Sequence, residues 1–203
     1  FAMKNNFPFV YRVHTEPDSR KVHSLYKLLD TLGIKHTNSP KPIPGEFDDI
    51  LLNAENSPYK TAIHQIALRT MQKALYSSEP LGHYGLNFKK YCHFTSPIRR
   101  YPDLATHRIL SAVLAGDADV KQKYSAYAKK AAFTSSEAEL RALEAERAID
   151  DLYKTVYMSK CVGNEYDAVI SSVTSFGLFC ALDNTCEGLV PIASMKNRYW
   201  YDP

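Results

Sequence analysis

The chain has 203 residues, of which 45% are hydrophobic and 23% charged, and its net charge is +3. This composition is ordinary for a globular protein with a sizeable core, and no run approaches about 18 consecutive apolar residues, so the sequence predicts no membrane-spanning helix. The four cysteines form no CxxC pair and no histidine pair has zinc-finger spacing, which argues against structural zinc and favours free thiols in a reducing compartment. Because the N-terminal stretch FAMKNNFPF also lacks the basic and apolar regions of a signal peptide, we expect a cytoplasmic protein.

The first quarter of the chain is predicted to be an extended opening followed by two helices. Residues 7–14, FPFVYRVH, are aromatic and β-branched and favour a strand or an extended segment. A helix is predicted from Asp18, since apolar residues recur at helical spacing up to Gly33, which has the position of a C-terminal cap. Three prolines within residues 36–45 indicate a loop, and residues 47–54 are predicted to form a short helix.

The next helix is predicted from a serine–proline pair. Ser57 followed by Pro58 is typical of a helix start, and the helix is expected to continue to about Tyr76. The stretch 81–88, LGHYGLNF, contains two glycines and is expected to be a turn or an irregular segment.

The remaining elements indicate a helical part followed by a β part. Residues 103–115 are predicted to form a helix that ends at Gly116, and two separate helices are predicted over 118–132 and 135–160. After residue 162 the chain becomes rich in valine and alternating residues, which is typical of strands and marks a domain boundary. The predicted fold class is therefore α+β.

Charge is distributed unevenly along the chain. Residues 60–108 contain eight lysines and arginines against Glu79 and Asp103, whereas residues 134–153 contain six acidic residues against two arginines. The aromatic residues interleaved with the basic ones are Tyr84, Phe88, Tyr91, Phe94 and Tyr101. Cations that contact phosphates and rings that stack on bases are typical of a groove for single-stranded nucleic acid. An ordinary charged surface with buried tyrosines fits the same pattern.

The segment HFTSPIRRYPDLATHR, residues 93–108, combines three arginines, two histidines, several hydroxyl groups and two prolines. Ser96 and the proline after it are typical of a helix start, although Pro102 requires the helix to kink or restart. A helix N-terminus of this kind suits a phosphate. Arg99 and Arg100 would point about 100° apart on a helix, so one is expected to fork onto a phosphate while the other pairs inside the protein. The alternative is that both make structural ion pairs, for example with the acidic stretch downstream.

This segment resembles the signature of the ribonuclease II / ribonuclease R family, the RNB nucleases, and is most similar to its bacterial ribonuclease R members. FPFVYRVHTEPD and LRTMQKALYSSEPLGHYGLNF upstream, and EAELRALEAERAIDDLYKTVYM downstream, resemble the same family in the same order. VTSFGLFCALDNTCEGLVPIASM is similar to the first half of an S1-type OB-fold RNA-binding domain. The resemblance implies the mostly helical C-terminal part of an RNB exoribonuclease domain over residues 1–161, and the N-terminal part of a partial OB-fold β-barrel over residues 162–203.

The resemblance also implies processive 3′-to-5′ hydrolysis of single-stranded RNA to nucleoside monophosphates, with magnesium held by four aspartates. The family places those aspartates upstream of the segment that matches residue 7. The chain has only the pairs Asp48-Asp49 and Asp150-Asp151, which helix ends and solvated faces explain better. Two-metal hydrolysis needs several carboxylates that converge on ions roughly 4 Å apart. We therefore expect a monomeric fragment that binds RNA but by itself neither holds magnesium nor hydrolyses RNA.

Two other hypotheses remain open at this point. One is a non-catalytic RNA-binding or regulatory module that naturally lacks the aspartates, and the other is a structural or partner-docking piece whose basic and acidic stretches pair with each other. An aspartate cluster in the reading frame upstream of Phe1 would separate the first hypothesis from the enzyme. Salt-dependent RNA binding would separate the partner-docking piece from both the enzyme and the RNA-binding module.

The family resemblance assigns roles to individual residues. Arg99 matches the family arginine that contacts the scissile phosphate, and Glu146 matches a glutamate near the RNA end. Phe176 and Phe179 match rings that stack on RNA, although a spacing of three on a strand would turn them to opposite sides and leave one in the core. The remaining candidates for RNA contact are Ser96, Arg100 and Tyr101 in the motif and, as parts of an aromatic clamp, Phe7 and Phe9.

Overall fold

The computed structural model describes residues 1–195, 197, 199 and 200, and the chain divides into two compact units, Phe1–Arg141 and Ala142–Pro203. Helices dominate the first unit and a small antiparallel sheet characterises the second, so the predicted α+β class is confirmed. Within the part of the chain that is described, no helix combines the length and the apolar character needed to cross a membrane.

The first unit contains a two-stranded sheet and a set of helices. Strand β1, Tyr11–Val13, runs antiparallel to β2, Leu75–Ser77, with Tyr11 opposite Ser77. The helices are α1, Ser19–Thr31; α2, Pro44–Asn53; α3, Lys60–Thr70; α4, Tyr101–Leu114; and the first part of α5, Val120–Ser159. One turn of 3₁₀ helix, Tyr84–Leu86, lies between β2 and α4, in the stretch that the sequence predicts to be irregular.

Helix α1 follows its predicted pattern. The Asp18 side chain accepts a hydrogen bond from the backbone N–H of Arg20 at 2.8 Å and so caps the helix. Gly33, with φ of +68°, lies just past its end in the left-handed region that glycine adopts without strain. The buried face of α1 packs against α2 and α3 in one core, whose members are Val22, Leu25, Tyr26, Leu29, Phe47, Ile50, Ala54, Ile63 and Ala67.

A second core joins the sheet to α4 and α5. Its buried members are Val10, Tyr76, Ala105, Ile109, Val120, Ala128, Ala131 and Ala132. Three of the four members from α5 are alanines, and such small side chains let helices approach closely. Through Ala105 and Ile109 this core fixes α4, and with it the C-terminal half of the segment 93–108.

The helix predicted from Ser57 to about Tyr76 is wrong at both ends. Helix α3 begins only at Lys60, because the hydroxyl of Ser57 accepts a hydrogen bond from the N–H of Tyr59 within a turn that precedes the helix. Tyr76 belongs to β2 and pairs with Arg12 of β1, far earlier in the chain. A strand this short with a remote partner leaves no periodicity in the local sequence that would reveal it.

The two helices predicted over 118–132 and 135–160 are one continuous helix of 40 residues, α5. The predicted break, at residues 133 and 134, adjoins the run Thr134-Ser135-Ser136, whose residue types favour caps and turns. In the structure the hydroxyl of Thr134 donates to the carbonyl of Lys130 at 2.8 Å, and that of Ser136 donates to the carbonyl of Ala132 at 3.0 Å. These bonds satisfy the hydroxyls inside the helix, so no interruption is needed.

The second unit contains the rest of α5 and a three-stranded antiparallel sheet in the order β3, Val169–Thr174; β4, Gly177–Ala181; and β5, Glu187–Pro191. A register shift between Ile170 and Ser172 marks a β-bulge in β3. Glycine is required at the start of β4, since a side chain on Gly177 would lie 2.4 Å from the carbonyl oxygen of Val190. The meander agrees with the predicted OB-fold strands, and the domain limits 1–161 and 162–203 stay predictions.

Candidate nucleic-acid interface

The SPIRR stretch is a turn and not the predicted helix start. The N–H groups of Arg99 and Arg100 both point to the carbonyl of Ser96, at 3.3 and 3.0 Å, and α4 begins only at Tyr101. Pro102 explains the difference, because a helix starting near Ser96 would need an N–H at that position and proline has none. Pro102 instead occupies the first turn of α4, where no N–H is required. The prediction that Ser96 caps a phosphate-binding helix is therefore wrong.

Residues 96–100, called the SPIRR turn below, are held from beneath by Asp103. Its Oδ2 atom accepts a hydrogen bond from the N–H of Ser96 at 2.7 Å and another from Nη2 of Arg100 at 2.8 Å. Asp103 is completely buried, whereas the side chain of Arg100 is 24% exposed. The expectation that Arg100 meets an internal partner is confirmed, and that partner is Asp103 and not the acidic stretch of α5.

Arg99 points away from this internal pair. It is exposed, and no ion pair or side-chain hydrogen bond involves it among the residues that the structure describes. Ile98, next to it, is fully exposed. The SPIRR turn therefore places one arginine inside the protein and offers the other to solvent, which leaves the guanidinium of Arg99 accessible to an anion. A role for Arg100 in RNA contact stays a prediction.

The two histidines of the motif make structural contacts. Nδ1 of His93 lies 2.9 Å from the hydroxyl of Tyr76, and Nε2 of His107 lies 2.7 Å from the carbonyl oxygen of Phe94. Burial, followed by the positive charge of Arg100, lowers the pKa of His93 and so favours its neutral form. These contacts agree with a packing role for both rings.

Tyr101 is half exposed, and its hydroxyl lies 3.2 Å from the hydroxyl of Tyr127 on α5. Nη1 of Arg108 donates to the same Tyr127 oxygen at 3.4 Å. The predicted RNA contact of Tyr101 would therefore use its exposed ring, since its hydroxyl already has a partner inside the protein.

A further polar cluster, missed at the level of sequence, lies behind the motif. The guanidinium of Arg12 forms an ion pair with Glu139 at 2.6 Å and lies 4.6 Å from the centre of the Tyr76 ring. The N–H of Tyr76 donates to the hydroxyl of Ser136 at 2.9 Å. These contacts tie both strands of the small sheet to α5. No local signal marks the pair of Arg12 and Glu139, because its members are 127 residues apart.

The candidate clamp residues Phe7 and Phe9 belong to a ladder of rings near the N-terminus. Phe1, Phe7, Phe9 and Tyr11 contact one another in sequence, at centroid distances of 5.6, 6.1 and 5.7 Å. All four line an apolar cavity of about 270 Å³, to which Lys90, Tyr91 and Cys92 also contribute. A cavity of rings beside a lysine can take up a base and contact its phosphate.

The rings of Phe176 and Phe179 lie together in the second unit. The prediction that both are on one strand and face opposite sides is wrong, because Phe176 is in the turn between β3 and β4. Its ring meets that of Phe179 edge to face at 6.1 Å, and Phe176 is 55% exposed. Glu146 is in the same unit, on the exposed surface of α5.

The described residues do not form a magnesium site. No group of three or more histidine, cysteine, aspartate or glutamate side chains capable of holding a metal ion occurs over residues 1–195, 197, 199 and 200. Asp48 and Asp49 are exposed on α2, and Asp150 and Asp151 are exposed on α5. These four aspartates therefore do not supply the converging carboxylates that two-metal hydrolysis requires.

Comparison with protein-family models identifies a known domain in each of the two parts of the chain. The model of the RNB domain matches residues 1–116, and the model of the S1 RNA binding domain matches residues 160–203. The chain belongs to the RNB family. Both parts of the resemblance found in the sequence, RNB and S1, are thereby confirmed.

The chain is similar to bacterial proteins named ribonuclease R. It is 36% identical to ribonuclease R of Escherichia coli over 211 residues, which cover 98% of this chain and 26% of that protein. It is 38% identical to ribonuclease R of Aquifex aeolicus over 198 residues, or 97% of this chain and 28% of that one. The chain therefore spans about a quarter of the length of the curated relatives that it matches.

The chain is also similar to solved structures of ribonuclease R. Mycoplasma genitalium RNase R in complex with ribose methylated single-stranded RNA matches with a TM-score of 0.89 at 30% identity, over 97% of this chain and 32% of that one. The same enzyme in complex with double-stranded RNA matches with a TM-score of 0.83, over 93% of this chain and 34% of that one. Yeast Ssd1, a pseudonuclease, shares the fold with a TM-score of 0.62 at 22% identity, over 94% of this chain and 24% of that one.

Proposed function

We propose that this chain supplies the phosphate-binding arginine and part of the RNA path of a processive 3′-to-5′ exoribonuclease that converts single-stranded RNA to nucleoside monophosphates. The observation that carries the proposal is the SPIRR turn, which holds Arg100 inside on a buried carboxylate and offers Arg99 to solvent without an ion-pair partner among the described residues. The family match and the ribonuclease R relatives support the reaction class.

In this proposal Arg99 contacts the scissile phosphate. A guanidinium presents parallel N–H donors that match two phosphate oxygens, and it stabilises the charge that develops there during hydrolysis. Glu146, on α5, lies near the RNA end. In this proposal magnesium and the carboxylates that hold it are supplied from outside the described residues, among which no group of three or more metal-binding side chains occurs.

The RNA path uses rings and basic side chains. Phe7 and Phe9 stack on bases near the 3′ end, while Phe176 and Phe179 form a separate stacking surface in the S1 part. Lys89 and Lys90 are both exposed, Lys90 beside the aromatic cavity, and they supply phosphate contacts. The solved complexes of Mycoplasma genitalium RNase R with RNA support a nucleic-acid partner for this surface.

We also propose a monomeric protein of the cytoplasm. The proposal rests on the sequence, whose four cysteines form no CxxC pair and whose first residues lack the regions of a signal peptide. Analytical ultracentrifugation checks the oligomeric state, and a sedimentation coefficient of a dimer would contradict it.

The test uses the complete enzyme and the 203-residue chain side by side. With magnesium and 5′-labelled single-stranded RNA, the complete enzyme should shorten the RNA from its 3′ end and release monophosphates, and Arg99→Ala should lower the rate by about 100-fold or more. Arg20→Ala, a change at an exposed arginine on α1, is the matched control and should leave the rate unchanged. The 203-residue chain alone should release no nucleotide with or without magnesium.

Two outcomes would contradict the proposal in different ways. A complete protein that binds RNA in a salt-dependent manner but hydrolyses none would be a non-catalytic RNA-binding module. Magnesium-dependent hydrolysis by the 203-residue chain itself, lost in Arg99→Ala, would show that these residues hold the metal after all.

A further inference from the structure

The feature that the proposed chemistry leaves unexplained is the completely buried carboxylate of Asp103. It lies in the first turn of α4, yet one of its two partners is the N–H of Ser96, seven residues earlier, and the other is the guanidinium of Arg100. A buried carboxylate is costly unless hydrogen bonds compensate it, so these contacts are a built feature of the turn. In the proposed mechanism the scissile phosphate is contacted by Arg99 and by neither of these two partners.

Asp103 fixes the SPIRR turn at both of its ends. At the start of the turn, Ser96 is held through its N–H by Asp103 and through its carbonyl by the N–H of Arg100. At the end of the turn, the side chain of Arg100 is held by the same Oδ2 atom. Arg99 lies between these two anchored residues, so the backbone that carries its side chain is held by contacts that converge on one oxygen.

We propose that Asp103 is a positioning residue that orients Arg99 toward the scissile phosphate; this inference rests on the proposed function of Arg99. Asp103 contacts neither RNA nor metal in this role. It acts by keeping the backbone of the turn and the side chain of Arg100 in place, so that Arg99 is the arginine directed outward. Small errors in the placement of a catalytic group lower rates strongly without a comparable loss of substrate binding.

The choice of aspartate follows from the two donors. Because Oδ2 accepts both hydrogen bonds, an asparagine whose oxygen takes the place of Oδ2 can still accept from the N–H of Ser96 and from Nη2 of Arg100, while its amide group takes the place of Oδ1. Asp103→Asn therefore removes the negative charge opposite the guanidinium of Arg100 and weakens both hydrogen bonds, while the side chain keeps its size. That makes it the sharpest single change for the test.

The experiment is a double-mutant cycle in the complete enzyme, with single-turnover rate and RNA affinity as separate readouts. Asp103→Asn should lower the single-turnover rate by about 10- to 100-fold and change RNA affinity by less than about 3-fold. Combined with Arg99→Lys, the same change should lower the rate by less than about 3-fold further, since the group that it positions is already altered. If the two effects instead multiply, Asp103 does not act through Arg99 and the proposal is overturned.

A matched control separates positioning from loss of stability. Ile109→Ala removes a fully buried apolar side chain of the same helix, which forms no hydrogen bond to the turn. This change should lower the melting temperature but leave the rate unchanged. If Ile109→Ala and Asp103→Asn have equal melting temperatures and lower the rate by the same factor, the rate loss reflects lower stability and Asp103 is only a structural residue. If Asp103→Asn does not fold, Arg100→Lys, which keeps the charge but loses the planar fork, replaces it in the cycle; it should lower both the melting temperature and the rate, and in combination with Arg99→Lys it should lower the rate by less than about 3-fold further.

Amide hydrogen exchange makes the test independent of catalysis. Asp103→Asn should speed exchange at Ser96 and Arg100, while exchange in α1 stays as in the wild type. Unchanged exchange at these two amides overturns the positioning role even if the enzyme is active. A different result would be faster exchange in Asp103→Asn together with a complete wild-type protein that hydrolyses no RNA. This result would overturn the proposed function of Arg99 and, with it, the catalytic part of this inference.

Discussion

The SPIRR turn of the first unit and the ring pair Phe176–Phe179 of the second present their candidate RNA contacts in opposite ways. Arg99 is exposed, but the turn that carries it is fixed by a completely buried carboxylate and an internal arginine. Phe176 is 55% exposed in a turn between two strands, and β5, the strand next to β4, is exposed along its whole length. One candidate contact is supported by polar anchors and the other mainly by its neighbouring ring.

This difference matches what each contact must do. A guanidinium that stabilises a developing charge has to hold a set direction, so its support is buried and polar. A ring that stacks on any base tolerates variation in angle and sequence, so an exposed turn is sufficient support. Changes beneath Arg99 should therefore affect stability and rate, whereas changes at Phe176 should affect RNA affinity alone.

The largest expected effect concerns the anchor itself. Asp103→Ala leaves the charge of Arg100 without its partner and the N–H of Ser96 without an acceptor, so the free energy of unfolding should fall by about 3–5 kcal/mol. Urea denaturation of the chain measures this difference. Asp150→Ala, at an exposed aspartate of α5, is the control and should change stability by less than about 0.5 kcal/mol. A similar small loss for Asp103→Ala would show that the turn does not depend on its anchor.

The next effect sharpens the other side of the comparison. Phe176→Ala removes a stacking surface and should weaken binding of single-stranded RNA by about 1–3 kcal/mol, with little change in melting temperature. Fluorescence anisotropy with a labelled oligonucleotide gives the affinity. Phe133→Ala, at an exposed phenylalanine of α5 that lies outside every predicted RNA contact, is the control. A fall in melting temperature without weaker binding would assign Phe176 to the core.

A smaller effect is expected at the ion pair behind the motif. Glu139→Gln removes the partner of Arg12, but Glu139 is 46% exposed, so solvent already screens much of the attraction. The free energy of unfolding should fall by about 1 kcal/mol or less, while the single-turnover rate of the complete enzyme stays unchanged. A rate loss as large as that of Asp103→Asn would extend the positioning network from the turn to β1 and α5.

The smallest effect is a dependence of stability on pH in the first unit. Burial lowers the pKa of His93 and of His83, with Arg100 adding to the shift at His93 and His14 at His83. The unfolded chain therefore binds these protons at a higher pH than the folded chain. The resulting stability is fully present above about pH 6.5 and is lost as the pH falls through the lowered pKa values.

Melting curves between pH 7.5 and 5.5 check this dependence. His93→Gln should reduce the pH-dependent loss, because one of the two partly buried histidines with a lowered pKa is gone. The second unit provides an internal reference, since all seven histidines of the chain precede Ala142. Amide exchange in β3 to β5 should therefore vary much less with pH, after correction for intrinsic exchange, than exchange in β1 and β2.

Features that depend on local contacts were predictable from the sequence. Asp18 and Gly33 define the ends of α1 through bonds within a few residues. The opposite directions of Arg99 and Arg100 were predicted from helical spacing, but in the structure a turn and the contact of Arg100 with Asp103 produce them. The family resemblance then indicated which of the two arginines is the candidate for phosphate contact.

Features that depend on remote partners were not predictable. Tyr76 forms a strand only because β1 lies beside it, and α5 continues past Thr134 because buried alanines and back-bonded hydroxyls keep it helical. The helix predicted to start at Ser96 does not form, because Pro102 lacks the N–H that such a helix would need there, and α4 begins only at Tyr101. The role of Asp103 required the structure, since an acidic residue early in a helix ordinarily indicates no more than a favourable charge at its N-terminus.

The most direct test of the central claim compares Arg99→Lys with Arg100→Lys in the complete enzyme, by melting temperature and single-turnover rate. Arg99→Lys keeps the charge but loses the bidentate fork, so it should lower the rate more than RNA affinity and leave the melting temperature close to that of the wild type. Arg100→Lys should lower the melting temperature, because its partner Asp103 is buried. The reverse pattern, in which Arg99→Lys unfolds the protein while Arg100→Lys slows hydrolysis at unchanged stability, would contradict the assignment of Arg99 to the scissile phosphate.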